Sequence, residues 1–318
     1  MVGWIILGVL FVFTILFFIA LYVIYKIAFY SPKKKQNDFK NVPPGSGFGQ
    51  FKEKTFELID DLLAREFEEV SVKSFDGLTL YGRYYHAKDG APIYLGFNGY
   101  RGTAIRDLCG AAKIAKTTGQ NLLIVSQRAH GESQGHTITF GAKERYDCLT
   151  WVNFCKKRFG KDVKICLNGV SMGAATVLLA SGLNLPENVF AIVSDCPYSS
   201  PKDIIKKEIA DMKLSPKIFY PLLCLAGRIY GKFSLKNVDV VQAVKNSKTP
   251  ILLMHGEKDT RVPANMSEKI ALSNPLVERH VFPNAEHGMS YMSDEKRYLK
   301  IVKEFVERNL NKSKEGEQ

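Results

Sequence analysis

The chain has few cysteines and no nucleotide-binding or metal-binding signature, and each shortage removes a class of function. Six Cys in 318 residues is far below the density of a disulfide-stapled secreted domain. Cys109, Cys148, Cys155, Cys166, Cys196 and Cys224 form no C-x-x-C pair and no zinc-ligand spacing. They fit a reducing compartment, and no metal site is expected. No P-loop, zinc-finger or RRM pattern is present. The glycines of Pro43-Pro44-Gly45-Ser46-Gly47-Phe48-Gly49 do not complete G-x-G-x-x-G and follow no strand, so no dinucleotide cofactor is expected. No internal repeat is visible. Charged residues make up 24% of the chain, too many for a multi-span membrane protein, and 46% hydrophobic residues exclude a disordered one.

One absence is local. No charged side chain lies between Val2 and Tyr25. At about 1.5 Å per residue this run makes about 36 Å of helix, enough for a hydrocarbon core of about 30 Å. A cleaved signal peptide has a basic start, a shorter apolar run and a small-residue cleavage site. Here nothing basic precedes the run, and Lys26 to Tyr30 offers no Ala-x-Ala. Residues 1–30 are therefore expected to be a retained single-pass transmembrane anchor. Lys26, Lys33, Lys34, Lys35 and Lys40 flank its C-terminal side. The positive-inside rule then puts the rest of the chain on the cytoplasmic face of the cell membrane.

The formal net charge of +12 is unevenly spread: +5 over residues 1–54, +1 over 55–200, +6 over 201–249 and zero over 250–318. Nucleic-acid enzymes spread basic charge over a working face. Here it gathers beside the anchor and in one later segment, so no nucleic-acid partner is expected.

Residues 31–54 read as a basic Pro/Gly linker. Residues 55–318 read as one domain of alternating strands and helices. Glu68 to Phe75 and Leu78 to Tyr85 flank Asp76-Gly77, a hairpin signal. Six more runs read as strands: Pro92 to Phe97, Asn121 to Ser126, Val163 to Leu167, Phe190 to Ser194, Ile251 to His255 and Arg279 to Phe282. Helical patterns lie at about 103–118, 142–159, 172–183, 264–273 and 291–310. An antiparallel start followed by repeated β-α units predicts an α/β fold with a mostly parallel, eight-stranded, doubly wound sheet. Between Ser200 and Pro250 the alternation breaks. Residues 201–249 are too long for an ordinary connection and are expected to form a small inserted cap.

Gly169-Val170-Ser171-Met172-Gly173 matches G-x-S-x-G, a pattern that arises by chance in about one chain in ten. Gly131-Glu132-Ser133-Gln134-Gly135 matches it as well. A nucleophile elbow needs a strand before the serine and a helix of small residues after it. Val163 to Leu167 and Met172 to Leu179 meet that demand for Ser171; no helix opens at Ser133. The helix N-terminus behind Ser171 also places partial positive charge where an oxyanion would form.

A serine hydroxyl needs a base to take its proton, and a carboxylate to orient the base. In this class of fold the chain order is Ser, Asp/Glu, His. His287 lies in a turn-rich loop after the last strand, whereas His280 sits within that strand. His287 is the expected base. Asp259, at the loop tip after Ile251 to His255, is the expected acid, with Asp195 as competitor. The oxyanion hole is expected from the backbone N–H groups of Met172 and of Tyr100, in the loop after the first parallel strand.

With these residues in place the chain resembles the α/β-hydrolases, close to the membrane-anchored bacterial hydrolases allied to the Bem46 and ABHD-type groups. The motifs that carry the resemblance are Asn98-Gly99-Tyr100-Arg101-Gly102, Gln127 to Ser133, Gly169 to Gly173, His255 to Asp259 and Glu286-His287-Gly288, across about residues 60–310. It implies an α/β-hydrolase fold and serine hydrolysis, and it does not specify the substrate. Asn98 stands where the family usually has His, and Ser126 where Asp often precedes the Gln-Arg-x-His-Gly run; both are expected to shape loops. Family membership makes Arg128 and His130 loop-fixing residues, with Arg128 expected to pair with Glu144 or Asp147.

The expected activity is a membrane-anchored serine hydrolase cleaving a carboxylic ester, including lipid or acyl esters, through Ser171, Asp259 and His287. A serine peptidase, thioesterase or acyltransferase on the same triad is the alternative, and a non-catalytic membrane-tethered interaction module the second. Within the cap, the uncharged run Ile218 to Ala226 is ringed by Lys206, Lys207, Lys213, Lys217, Arg228 and Lys232. Two expectations stand for it: an apolar face packed on the domain, or a surface touching anionic lipid headgroups. The oligomeric state is left open.

Overall fold

The computed structural model describes residues 1–32, 39–41 and 47–315. Lys33, Lys34 and Lys35, and the linker residues Pro43 to Ser46, lie outside the described residues. The chain opens with α1 (Val2–Ala28), followed after the linker by α2 (Lys52–Ala64). The hairpin β1 (Glu68–Lys73) and β2 (Thr79–Tyr85) leads to β3 (Ile93–Phe97), α3 (Ala104–Asp107), α4 (Ala111–Thr117), β4 (Asn121–Val125) and α5 (Glu144–Phe159). Then come β5 (Ile165–Val170), α6 (Met172–Ser181), β6 (Val189–Asp195), the cap helices α7 (Pro201–Asp211), α8 (Pro216–Ile229) and α9 (Val240–Lys245), and β7 (Ile251–Gly256). The chain closes through α10 (Asn265–Ala271), β8 (Val277–Phe282), α11 (Ser290–Ser293) and α12 (Glu295–Glu315).

The eight strands form one sheet in the order β1-β2-β4-β3-β5-β6-β7-β8. β1 and β2, and β2 and β4, are antiparallel; all other neighbours are parallel. This is the doubly wound α/β-hydrolase arrangement that the strand pattern predicts. The central strands β3, β4, β6 and β7 are buried along their whole length, which is why they read as continuous apolar runs rather than alternating ones. Helices cover both faces, and a separate apolar core lies on each.

Local departures from the expected elements have physical causes. The helix expected over 103–118 is broken between α3 and α4, where Gly110 lies so close to the Tyr291 ring that a Cβ would stand 2.9 Å from it. α2 was not expected, because its sequence overlaps the end of the linker. Its Ile59 and Leu62 are fully buried in the core that also holds Phe305 and Val306.

α1 is long and apolar enough to cross a membrane, with mean hydropathy 2.9 over an 18-residue window. Most of it is exposed, but Leu21, Tyr25 and Phe29 are buried in the domain core. Phe29 stacks edge-on against Phe140 and Phe233. The chain just beyond α1 pairs with residues 136–138: Ser31 N–H donates to His136 O and Ile138 N–H to Phe29 O, each at 2.8 Å. The end of the apolar helix is thus a structural part of the domain.

Candidate active site

Ser171 is the single residue between β5 and α6, held at φ 55°, ψ −115°. A left-handed conformation is unfavourable for a residue with a Cβ, and the surrounding glycines make it possible. A Cβ at Gly169 would fall 2.3 Å from the carbonyl carbon of Gly173, and one at Gly173 only 2.1 Å from Phe97 O. The G-x-S-x-G glycines are therefore close-packing requirements: they let α6 start tight against β3 and β5. Ser133 is placed differently. It is buried, donates to Ser126 O at 2.6 Å and accepts from Tyr81 N–H at 2.9 Å, so its hydroxyl ties β2 to the following loop.

The loops after β7 and β8 bring the other two residues to Ser171. His287 Nε2 lies 2.9 Å from Ser171 Oγ, and His287 Nδ1 lies 2.7 Å from Asp259 Oδ2. Asp259 is buried and accepts three further hydrogen bonds. Its Oδ1 takes the N–H groups of Arg261 (3.0 Å) and Val262 (2.8 Å), and its Oδ2 lies 3.3 Å from His255 Nε2. Because His255 Nε2 also lies 2.8 Å from Val262 O, which only accepts, that nitrogen carries the proton. Burial alone would raise the Asp259 carboxyl, but the hydrogen bonds from His255 and His287 hold it well below the usual carboxylate range.

Asp195, the competing carboxylate, points elsewhere. Its Oδ1 accepts from Ser290 Oγ at 2.9 Å and burial pushes its pKa up. Its backbone carbonyl accepts the Ser171 N–H at 2.9 Å, so it positions the elbow from below. Glu257 and Glu286 are exposed, and His280 lies in β8.

The loop after β3 passes over Ser171 and is held by His130, which the resemblance marks as loop-fixing, and by Asp107, which the sequence did not single out. Gly99 N–H donates to Asp107 Oδ2 at 2.9 Å, and Arg101 N–H to His130 Nε2 at 3.0 Å. His130 Nδ1 donates to Arg128 O at 2.8 Å, and burial keeps the ring neutral by lowering its pKa. Gly102 N–H turns back to Gly99 O. The Tyr100 N–H, between the engaged N–H groups of Gly99 and Arg101, has no protein acceptor among the described residues. Asn98, in the family's His position, is fully buried. It accepts Gln127 N–H at 3.1 Å, and Thr176 Oγ1 on α6 donates to Gln127 Oε1 at 3.0 Å, so the loop is stitched to β4 and α6.

Arg128 pairs with Asp147, as the resemblance implied, at 2.6 Å and 2.7 Å, and also with Asp76 from the hairpin turn at 2.9 Å and 3.1 Å. It does not pair with Glu144. That carboxylate instead accepts the N–H groups of Thr139 and Gly141, fixing the turn that leads into its helix.

Among the described residues, Cys196, Asp259 and His287 are the one cluster whose donor atoms lie within 4.8 Å of one another. Asp259 and His287 are already engaged with each other, and burial holds the Cys196 thiol protonated, a poor metal donor. The five other Cys are also free thiols.

Ser171, His287 and Met172 line a cavity of about 1180 Å³. Residues of the cap (Ile204, Ile205, Phe219, Leu223) make one wall. Ile24, Ile27 and Ala28 of α1 contribute to another, a role that hydropathy does not record because α1 reads as membrane segment alone.

Residues 137–313 match the prolyl oligopeptidase family. The chain belongs to this family. As an α/β-hydrolase of the prolyl oligopeptidase family it is related to Bem46: it is 24% identical to protein bem46 of Schizosaccharomyces pombe over 253 residues, 77% of this chain and 78% of that protein. It is 27% identical to YqkD of Bacillus subtilis over 199 residues, 62% of this chain, and the match spans 65% of the length of that relative. Among solved structures it superposes on the Pyrococcus furiosus esterase with a TM-score of 0.63 at 21% identity, over 88% of this chain and 97% of that one. That likeness establishes the shared fold.

Proposed function

We propose that this prolyl oligopeptidase-family chain is a membrane-anchored serine hydrolase that cleaves carboxylic esters, with its catalytic domain on the cytoplasmic face. The observation that carries the reading is the hydrogen-bonded line from Ser171 through His287 to Asp259 at the base of a largely apolar cavity. Ser171 Oγ attacks the ester carbonyl carbon as His287 Nε2 takes its proton. The carbonyl oxygen becomes an oxyanion, and the N–H groups of Tyr100 and Met172 are its assigned donors; Met172 opens α6, so its N–H has no intrahelical acceptor. His287 returns the proton to the leaving alcohol, and an acyl group remains on Ser171. Water, deprotonated by His287, then releases the acid and restores the serine.

An ester is favoured because aliphatic and aromatic side chains from α1 and the cap line much of the cavity, suited to an acyl chain, and because the structurally similar Pyrococcus protein is an esterase. A peptidase reading rests on the family's prolyl oligopeptidase description. Nitrophenyl esters of increasing chain length run beside peptidyl arylamides separate the two. Fluorophosphonate labelling tests the nucleophile and the idea of an unused triad together. Ser171→Ala is expected to abolish labelling and Ser133→Ala to retain it. Labelling that survives in Ser171→Ala refutes the assignment.

A further inference from the structure

The mouth of the active-site cavity is identified by residues that both line it and face outward. Ile27 of α1 is 58% exposed, and Met212 and Leu214, between α7 and α8, are 63% and 41% exposed; the polar lining residues Glu208, Asp211, Thr260, Arg261 and Glu286 are exposed as well. The apolar part of the rim therefore lies between the last turn of the apolar helix and the cap.

α8 has a second apolar face. Leu223, Ala226 and Gly227 are buried on the side facing α1 and the domain. Ile218, Pro221, Leu225 and Ile229 are exposed at spacings of three, seven and eleven residues, which places them on one stripe of the helix. Lys217 and Arg228 border that stripe. An exposed apolar stripe with a cationic border is the pattern of a helix lying in a membrane interface.

What covers the stripe follows from its continuity with α1. Tyr230, just past α8, donates through its hydroxyl to Phe18 O at 2.9 Å, and its ring packs 5.3 Å from that of Tyr22. Phe18 is ten residues before the end of α1, about 15 Å along the helix. Counted from Val2, a hydrocarbon core of about 30 Å ends near Leu21. The end of α8 therefore meets α1 at hydrocarbon depth, and its apolar stripe continues the exposed apolar surface of the anchor.

We infer that the end of α8 lies in the bilayer beside α1, and that the cavity mouth, about 9 Å beyond Leu21 along α1 at Ile27, opens at the membrane interface rather than into bulk water. The substrate is then a membrane-resident acyl ester, whose chain enters between Ile27 and Met212–Leu214 and runs inward to Ser171. This rests on the ester-hydrolase reading and specifies the substrate class of the same site.

The test uses the full chain in vesicles of phosphatidylcholine and phosphatidylglycerol. Two esters of one fluorophore are compared: umbelliferyl oleate dissolved in the bilayer and umbelliferyl butyrate in solution. Neither Ile218 nor Leu225 lines the cavity. Ile218→Asp combined with Leu225→Asp is expected to slow oleate hydrolysis by roughly tenfold or more and to leave butyrate hydrolysis within about twofold, because only bilayer seating is lost. Equal loss for both esters, or no loss for either, overturns the inference. A second measurement does not depend on turnover. Brominated lipids are expected to quench Leu225→Trp more strongly than Leu272→Trp on α10; equal quenching also overturns it. A wild-type chain that hydrolyses neither ester sinks the ester-hydrolase reading, and quenching at position 225 then decides separately whether the cap lies in the bilayer.

Discussion

At the residue scale, Asp259 accepts from two imidazoles and two backbone N–H groups, and these set its behaviour. Its folded-state pKa lies below the ordinary 3.8. The stability it contributes is therefore fully present above that pH and is lost as acid titrates it. In the proposed mechanism it holds His287 in the tautomer that presents a bare Nε2 to Ser171. Asp259→Asn is expected to lower kcat by about 10⁴-fold by the logic of other triads, whereas Asp195→Asn, which touches Ser290 rather than His287, should lower it far less. Steady-state kinetics on both variants decides between the two carboxylates. His130 acts in the same direction, through burial and nearer neutral pH. Burial lowers its pKa below 6.5, so the unfolded chain takes up a proton that the folded one refuses, and stability falls as pH drops below about 6.5. The thermal midpoint measured from pH 7.5 to 5.5 should decline for the wild type and flatten in His130→Asn. Ser171, His287 and Asp259 were legible in the sequence because each stands at the end of a strand, in chain order, where a turn releases it. Asp107 and His255 were not. Their role is to hold a nearby loop or side chain through the local turn, and no periodicity records that.

At the scale of elements, strands were legible and the breaks in helices were not. Buried strands such as β3 and β7 announce themselves as short apolar runs between turn residues. The interruption at Gly110 depends on the Tyr291 ring, some 180 residues away, so only the folded chain reveals it. The same holds for α1. Its length and hydropathy were plain, but its packing through Leu21, Tyr25 and Phe29 depends on partners far along the chain. Each such side chain contributes about 1.5–3 kcal/mol when buried, so removing all three costs on the order of 5 kcal/mol, a large part of the roughly 5–15 kcal/mol a domain has. Deleting residues 1–30 is therefore expected to yield a destabilised, aggregation-prone protein, whereas deleting residues 1–17 should preserve a cooperative thermal transition. Calorimetry of the two truncations makes the comparison.

At the scale of the whole molecule, the net charge of +12 gathers mostly in two segments of the chain, residues 1–54 and the cap, residues 201–249. The catalytic domain between and beyond them is nearly neutral. α1 is joined to that domain by buried side chains and by the pairing of Phe29 and Ser31 with residues 136–138, so the orientation of the domain relative to α1 is set by its own packing. With α1 and α8 seated in a bilayer as proposed, the enzyme would meet its substrate in two dimensions. Its rate is then expected to follow the mole fraction of ester within the surface, and diluting that surface with inert lipid at constant bulk concentration should slow turnover in proportion.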